Sequence, residues 1–405
     1  MELVNQTNSV VSFFENLENQ NVFPDVHIAQ DDLREACKSY AFPTTRDELW
    51  KYTRVTKISN KTFSLGLPSD VDDIADQIEV KENQIVIVNG VFCEEYSRIP
   101  TQVGLDVFSS FDELLEDEFP YTDILEVHDT IFTVANLAYP TSGLVIALEP
   151  NTIVASTITI LHVSTGKGIL SQPQFTISLA EGAELNLTQD FLSIDAADCF
   201  VNSTLVGFVG QNAKLKISKT QKLDPSSMHI ATEYLAQEKD STLTFNTITT
   251  DGLLTRNSLT IEVNGTNCTT NLNGVYDLDG QKLVDNHTVV DHKAPHCESN
   301  ELYKGVLNGK ATAVFNGKVF VRKDAQKINA FQKNGTILLS DDAQMNSKPE
   351  LEIYADDVKC SHGCTTGQLN EEAIFYLRAR GIGELAAKKL MVEAFIGEVY
   401  ERMEA

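Results

Sequence analysis

Cys360-Ser361-His362-Gly363-Cys364 sets two thiols and an imidazole at alternate positions. A cysteine thiolate is a strong nucleophile and a soft ligand for iron, copper or zinc, and histidine either ligates metal or tunes a nearby thiol. On an extended segment the three side chains share one side; on a helix they diverge. Even when extended they leave a tetrahedral shell one donor short, so the remainder has to come from elsewhere in the chain or from another subunit. The bland alternative is two small buried thiols and a histidine bonded to a helix end. A helix start close by in sequence weighs toward function, because helix N-termini lower thiol pKa.

Asp291-His292-Lys293-Ala294-Pro295-His296-Cys297 is a second cluster. Its histidines, four apart, would meet one metal on a helix, but Pro295 and the strand-rich surroundings oppose a helix and favour a polar turn at the edge of a coil. Asp356 and Asp357 could in principle serve as a hydrolytic acid and base, yet adjacent carboxylates on an extended segment point apart. The sequence holds no HExxH, GxGxxG or GxxxxGK[ST] motif, and Thr165-Gly166-Lys167-Gly168 is too short to replace the last. An ATP-driven process would need a separate ATPase.

The elements around these residues sit in a chain of 405 residues with 32 basic and 58 acidic side chains, a formal charge of -26. That excess favours solubility and argues against general binding to nucleic acid or anionic lipid. The opening MELVNQTNSVVSFFENL lacks a basic region followed by an apolar stretch, and no later run reaches membrane-spanning length, so the reading is cytoplasmic with no membrane partner. Sequons such as Asn264-Gly265-Thr266 are then compositional. Cysteines at 37, 93, 199, 268, 297, 360 and 364 are odd in number and too sparse for a disulfide scaffold.

Residues 1–140 read as a helical and mixed region: a helix over Asp31–Tyr40, a capping box Thr45-Arg46-Asp47-Glu48 before LWKYTR, Trp50 as a packing anchor, a strand over 84–92, and an acidic helix opened by Ser110-Phe111-Asp112-Glu113. Residues 141–348 alternate in short segments divided by Gly, Asn, Asp and Ser. Ala183–Leu187, Ala213–Ile217 and Ser241–Phe245 recur 30 and 28 residues apart in one internal phase. That recurrence predicts a mainly β chain built on a parallel β-solenoid, each turn stacking its inward apolar residues on the last, rather than a β-sandwich. Lys214 and Lys216 then belong to a solvated face. Residues 349–405 read as a terminal strand, the CSHGC segment and two short helices: one from Glu371 capped by Asn370 and stopped at Gly381, with Ile374, Phe375 and Leu377 inward, and one with a stripe of Leu385, Val392, Phe395, Ile396 and Val399. The stripe packs on the solenoid or receives another protein.

KPELEIYADDVKCSHGCTTGQLNEEAIFYLRARGI, DHKAPHCESNELYKGVLNGKATAVFNGKVFVRKDAQKINAFQKNGTILLS and AFPTTRDELWKYT closely resemble the SufB/SufD family of iron–sulfur cluster assembly proteins, the last stretch its SufD branch. The resemblance implies a right-handed parallel β-helix flanked by N- and C-terminal helical regions. It also implies a non-enzymatic scaffold that joins SufB and the ATPase SufC in a SufBC2D-type complex, with SufC held by the C-terminal helices and nothing permanently bound. Cys360 and His362 match the cysteine and histidine held to lie at the interface with SufB, where transient iron or a nascent Fe–S cluster would be coordinated. Cys364 departs from the family's CSHGAT, which has alanine there. A SufB-like cluster carrier and a polysaccharide lyase or hydrolase on a similar solenoid are the alternatives, and a homodimer of the isolated chain is left open.

Overall fold

In the computed structural model, which describes residues 28–108 and 121–404 together with Phe13 and Glu15, the recurring segments lie directly over one another. Leu185, Leu215 and Leu243, which hold equal phase in the repeat, are register partners on the parallel strands Glu184–Ala197, Lys214–Lys222 and Thr242–Asp251. No turn can bury its own apolar row, so each is stabilised by the turns above and below. Each turn gives one strand to each of two sheets. One sheet stacks Ser142–Leu148, Pro173–Leu179, Phe200–Val209, Met228–Gln237, Leu254–Val263, Leu283–His292 and Thr312–Val321, then ends on Gln344–Ser347 and Glu350–Ile353. The other stacks Ile158–Lys167, the three strands that carry the leucine row's first members, Thr269–Leu278, Glu298–Leu307 and Asn329–Leu338, and ends on Lys359–Gly367. Parallel pairing throughout these stacks excludes an antiparallel sandwich. Between the sheets runs a core of Leu, Ile, Val and Phe, including the fully buried Phe245 and Phe315.

Before the solenoid, helices α1 (Ile28–Cys37), α2 (Tyr121–Val127) and α3 (Ile131–Ala138) gather against the outer face of the first sheet. α3 is buried along its whole length, and it can be, because Asn136 donates to the carbonyls of Asn202 (2.6 Å) and Pro173 (3.2 Å). Trp50 is an anchor as its sequence suggests, 5.3 Å from the Phe132 ring and 3.9 Å below the Arg256 guanidinium. The capping box at Thr45 does not form. Asp47 turns back to accept from the Thr44 amide at 2.6 Å, and only one 3₁₀ turn, Glu48–Trp50, follows. The run 84–92 is a hairpin, Gln84–Val88 against Val91–Phe92, because Asn89 (φ 48°) and Gly90 (φ 81°) take the left-handed conformation that a two-residue turn demands. The helix expected from Ser110 lies outside the described residues.

After the last strand, the Asn370 side chain accepts from the amides of Glu372 (2.9 Å) and Ala373 (3.1 Å) and starts α4 (Glu371–Ala379). Gly381, at φ 88°, turns the chain into α5 (Glu384–Glu404), which is 21 residues and not short. Val399 and Met403 of α5 pack on Val275 and Leu302, and Lys304 donates to the Phe395 carbonyl at 2.6 Å. One inward assignment fails, Phe375 being 73 % exposed, and of the second helix's stripe Leu385 is left open at 84 %. Ile374 and Ala387 are the residues turned in, since α5 meets the sheet mainly with its C-terminal half.

Candidate functional site

The CSHGC segment is strand, not helix, and lies in Lys359–Gly367, the outermost strand of its sheet. Register alone fixes which way its residues point. Cys360, His362 and Cys364 stack on Ala330, Gln332 and Asn334, all three buried and inward-facing. The three donors therefore continue interior columns of the solenoid onto its final turn, where nothing among the described residues stacks beyond them. Cys360 and Cys364 are half-buried and His362 is exposed.

Burial pushes the Cys360 thiol up, partly offset by the Ala330 backbone, and pushes Cys364 up as well, partly offset by the Ser347 hydroxyl and the Asn334 backbone. This corrects the helix-terminus argument: the helix begins at Glu371, beyond the end of the strand, and both thiols shift up, not down. Both stay protonated near neutral pH in the isolated chain, so either sulfur would have to lose its proton before it could act as a thiolate ligand. Among the described residues no group of three or more His, Cys, Asp or Glu side chains is arranged to hold a metal ion. CSHGC supplies donors without closing a cage.

The other candidates do not converge. His292 points inward, with its Nε2 2.9 Å from Ser299 Oγ and burial holding it down to about 4, whereas His296 sits on an exposed turn at φ 65°. Cys297 is buried, its thiol donating to the Gly265 carbonyl at 3.2 Å. Asp357 is tied to Lys327 by an ion pair, and Asp356 is exposed beside it.

Sequence reasoning missed the polar groups inside the solenoid. Lys214 is solvated and pairs with Glu184 at 2.8 Å, as alternation suggests, but Lys219 on the same strand is fully buried and bonds Glu233 (2.6 Å) and Asn257 (2.9 Å). Nearer the site, Glu301 is enclosed between the Thr288 hydroxyl (2.6 Å) and the Gln332 amide (2.8 Å), and burial raises its carboxyl to about 7. A polar residue in an alternating strand looks outward-facing by default; only the phase relative to Leu185, Leu215 and Leu243 would have exposed these as inward.

Residues 162–395, more than half the chain, match the SufBD core domain of the SUF system for FeS cluster assembly. The chain belongs to the SufBD family. An iron–sulfur cluster assembly SufBD family protein of Synechocystis sp. is 28 % identical over 90 % of this chain and 84 % of its own length. The iron–sulfur cluster assembly protein SufD of Escherichia coli is 29 % identical over 93 % of this chain and 88 % of its own. Protein ABCI7, chloroplastic, of Arabidopsis thaliana is 28 % identical over 92 % and 82 %. The SufBD assignment agrees with the solenoid and carries the family's general role as a scaffold in iron–sulfur cluster assembly. No described helix is long and apolar enough to cross a membrane.

Proposed function

We propose that this SufBD protein is a SufD-type scaffold subunit that contributes one side of an intersubunit site at which iron or a nascent cluster is coordinated. The observation that carries the reading is the placement of Cys360 and His362 on one row of an outermost, half-paired strand. A thiolate and a neutral imidazole are a soft donor pair suited to iron, and two donors at an open edge call for a second subunit to complete the shell. The SufB-type partner supplies that subunit. Iron and sulfide here are cargo. Cys364 shares the row but stacks toward Ser347 and the Asn334 column, and is read as packing in place of a smaller residue.

The second partner is a SufC-type ATPase held by the C-terminal helices. In support, α4 and α5 expose Phe375, Tyr376, Leu385 and Leu390, and Leu385 borders a groove of about 660 Å³ together with Val306, Leu338 and Val392. The chain itself carries no phosphate-binding motif.

The test is anaerobic reconstitution of the complex with Cys360→Ser, His362→Ala and Cys364→Ala, measuring bound iron and sulfide. The first two variants lose iron and the third keeps it. Full iron content in both of the first two rejects the coordinating role, and loss confined to Cys364→Ala reassigns the ligand. Deleting 371–405 removes ATPase binding; retention of that binding rejects the helix assignment.

A further inference from the structure

One interior column changes character as it nears the site. From the first turns it reads Ile158, Leu187, Ile217, Phe245 and Leu272, an unbroken apolar stack. It then reads Glu301, Gln332 and His362. Stacking does not call for this switch. Leu or Ile would continue the core, while a buried carboxyl and carboxamide cost desolvation that only well-placed hydrogen bonds return.

Those bonds have a direction. Thr288 donates to one Glu301 oxygen at 2.6 Å, and the Gln332 amide donates to the other at 2.8 Å. Anchoring the NH₂ end of Gln332 on Glu301 fixes the orientation of the carboxamide. Its Oε1, in a side chain only 3 % exposed, is left buried with no hydrogen-bond partner. The opposite sheet makes room for this arrangement. Gly317 stacks on Thr288 in that sheet, and a Cβ at Gly317 would land on the Gln332 carboxamide. The next residue in the column beyond Gln332 is His362, one strand spacing away, about 4.8 Å between backbones.

We infer that Gln332 is a positioning residue for His362, its unpaired Oε1 accepting one ring N–H so that the other ring nitrogen presents its lone pair at the open edge. This rests on the reading of His362 as a ligand under the proposed function and deepens it. A ligating imidazole commonly donates its second N–H to a carbonyl or carboxylate, which fixes tautomer and ring plane and raises the basicity of the ligating nitrogen. Here the Glu301–Gln332 pair supplies that acceptor from inside the solenoid. It also accounts for the one buried carboxamide oxygen in the column that nothing else satisfies.

The experiment uses the full chain with ¹⁵N-labelled histidine, the His362 signals being assigned by their loss in His362→Ala. The expected result is one dominant His362 tautomer in the parent chain and a mixture resembling free histidine in Gln332→Leu. Gly317→Ala, which displaces Gln332 while retaining it, gives the same mixture. Glu301→Gln, which keeps an acceptor for the Gln332 amide, leaves the dominant tautomer in place. In the reconstituted complex, Gln332→Leu weakens binding of added Fe²⁺ by about 10- to 100-fold. An unchanged tautomer in both Gln332→Leu and Gly317→Ala overturns the inference and leaves the proposed function standing. Unchanged iron content in His362→Ala overturns the ligand role and leaves the hydrogen bond standing.

Discussion

Replacing Glu301 by Gln should change how the stability of this chain responds to pH, and by an amount that follows from its burial. The carboxyl ordinarily titrates at 4.5, and enclosure in the solenoid raises it to about 7, with the Thr288 and Gln332 hydrogen bonds offsetting part of the desolvation. Between those values the folded chain holds a proton that the unfolded chain has released, so stability falls as pH rises. The contribution is complete below the unfolded value and gone once pH has passed the folded one. At about 1.4 kcal/mol per pH unit, the whole span is about 3 kcal/mol. Buried histidines run the other way: burial holds His162 down to about 3 and His128 and His292 to about 4, so each removes stability as pH falls below about 6.5. The parent chain alone therefore mixes opposing slopes, and only its difference from Glu301→Gln isolates the carboxyl. The sequence pI of about 4.6 makes the acid end of the range prone to precipitation. Urea unfolding from about pH 5.5 to about pH 8 avoids it and captures about 2 kcal/mol of the difference. A parent-minus-variant stability that stays flat across that range would refute the claim that a protonated carboxyl is buried beside the site.

Other consequences are as direct. Lys219→Met leaves Glu233 charged and unpaired in the interior and should cost about 3–5 kcal/mol in urea unfolding, while adding Glu233→Leu should recover most of it; a double variant no more stable than the single one would contradict the pairing. Asn370→Ala should cost about 1 kcal/mol and speed amide exchange at Glu372 and Ala373; unchanged exchange there would mean that the cap contributes nothing.

The solenoid was legible because its stacking rule writes itself into the chain as a period: Leu185, Leu215 and Leu243 recur in phase, and they are register partners. The outward direction of Lys214 was legible for the same reason. Lys219, Glu233 and Glu301 were not, because a polar residue announces a solvated position unless its partner's position is known, and their partners come from the opposite sheet or the next turn. Cys360, His362 and Cys364 could be read as sharing a side if extended, but not as belonging to interior columns, which depends on the pairing with Ala330, Gln332 and Asn334. The first C-terminal helix misled at Phe375, since helical periodicity identifies an apolar face and not what covers it. Asn89-Gly90 carried a turn signal inside a run that otherwise read as one strand.

In a stack of nearly equivalent turns, each interior turn is held by two interfaces and the terminal one by a single interface. Lys359–Gly367 is that terminal strand in its sheet, so its hydrogen bonds open at a lower free energy than those of Thr242–Asp251 or Thr269–Leu278. The proposed ligands thus ride on one of the most easily frayed parts of the coil. A second subunit pairing along this edge would supply the missing interface, making local order and completion of the coordination shell a single thermodynamic event.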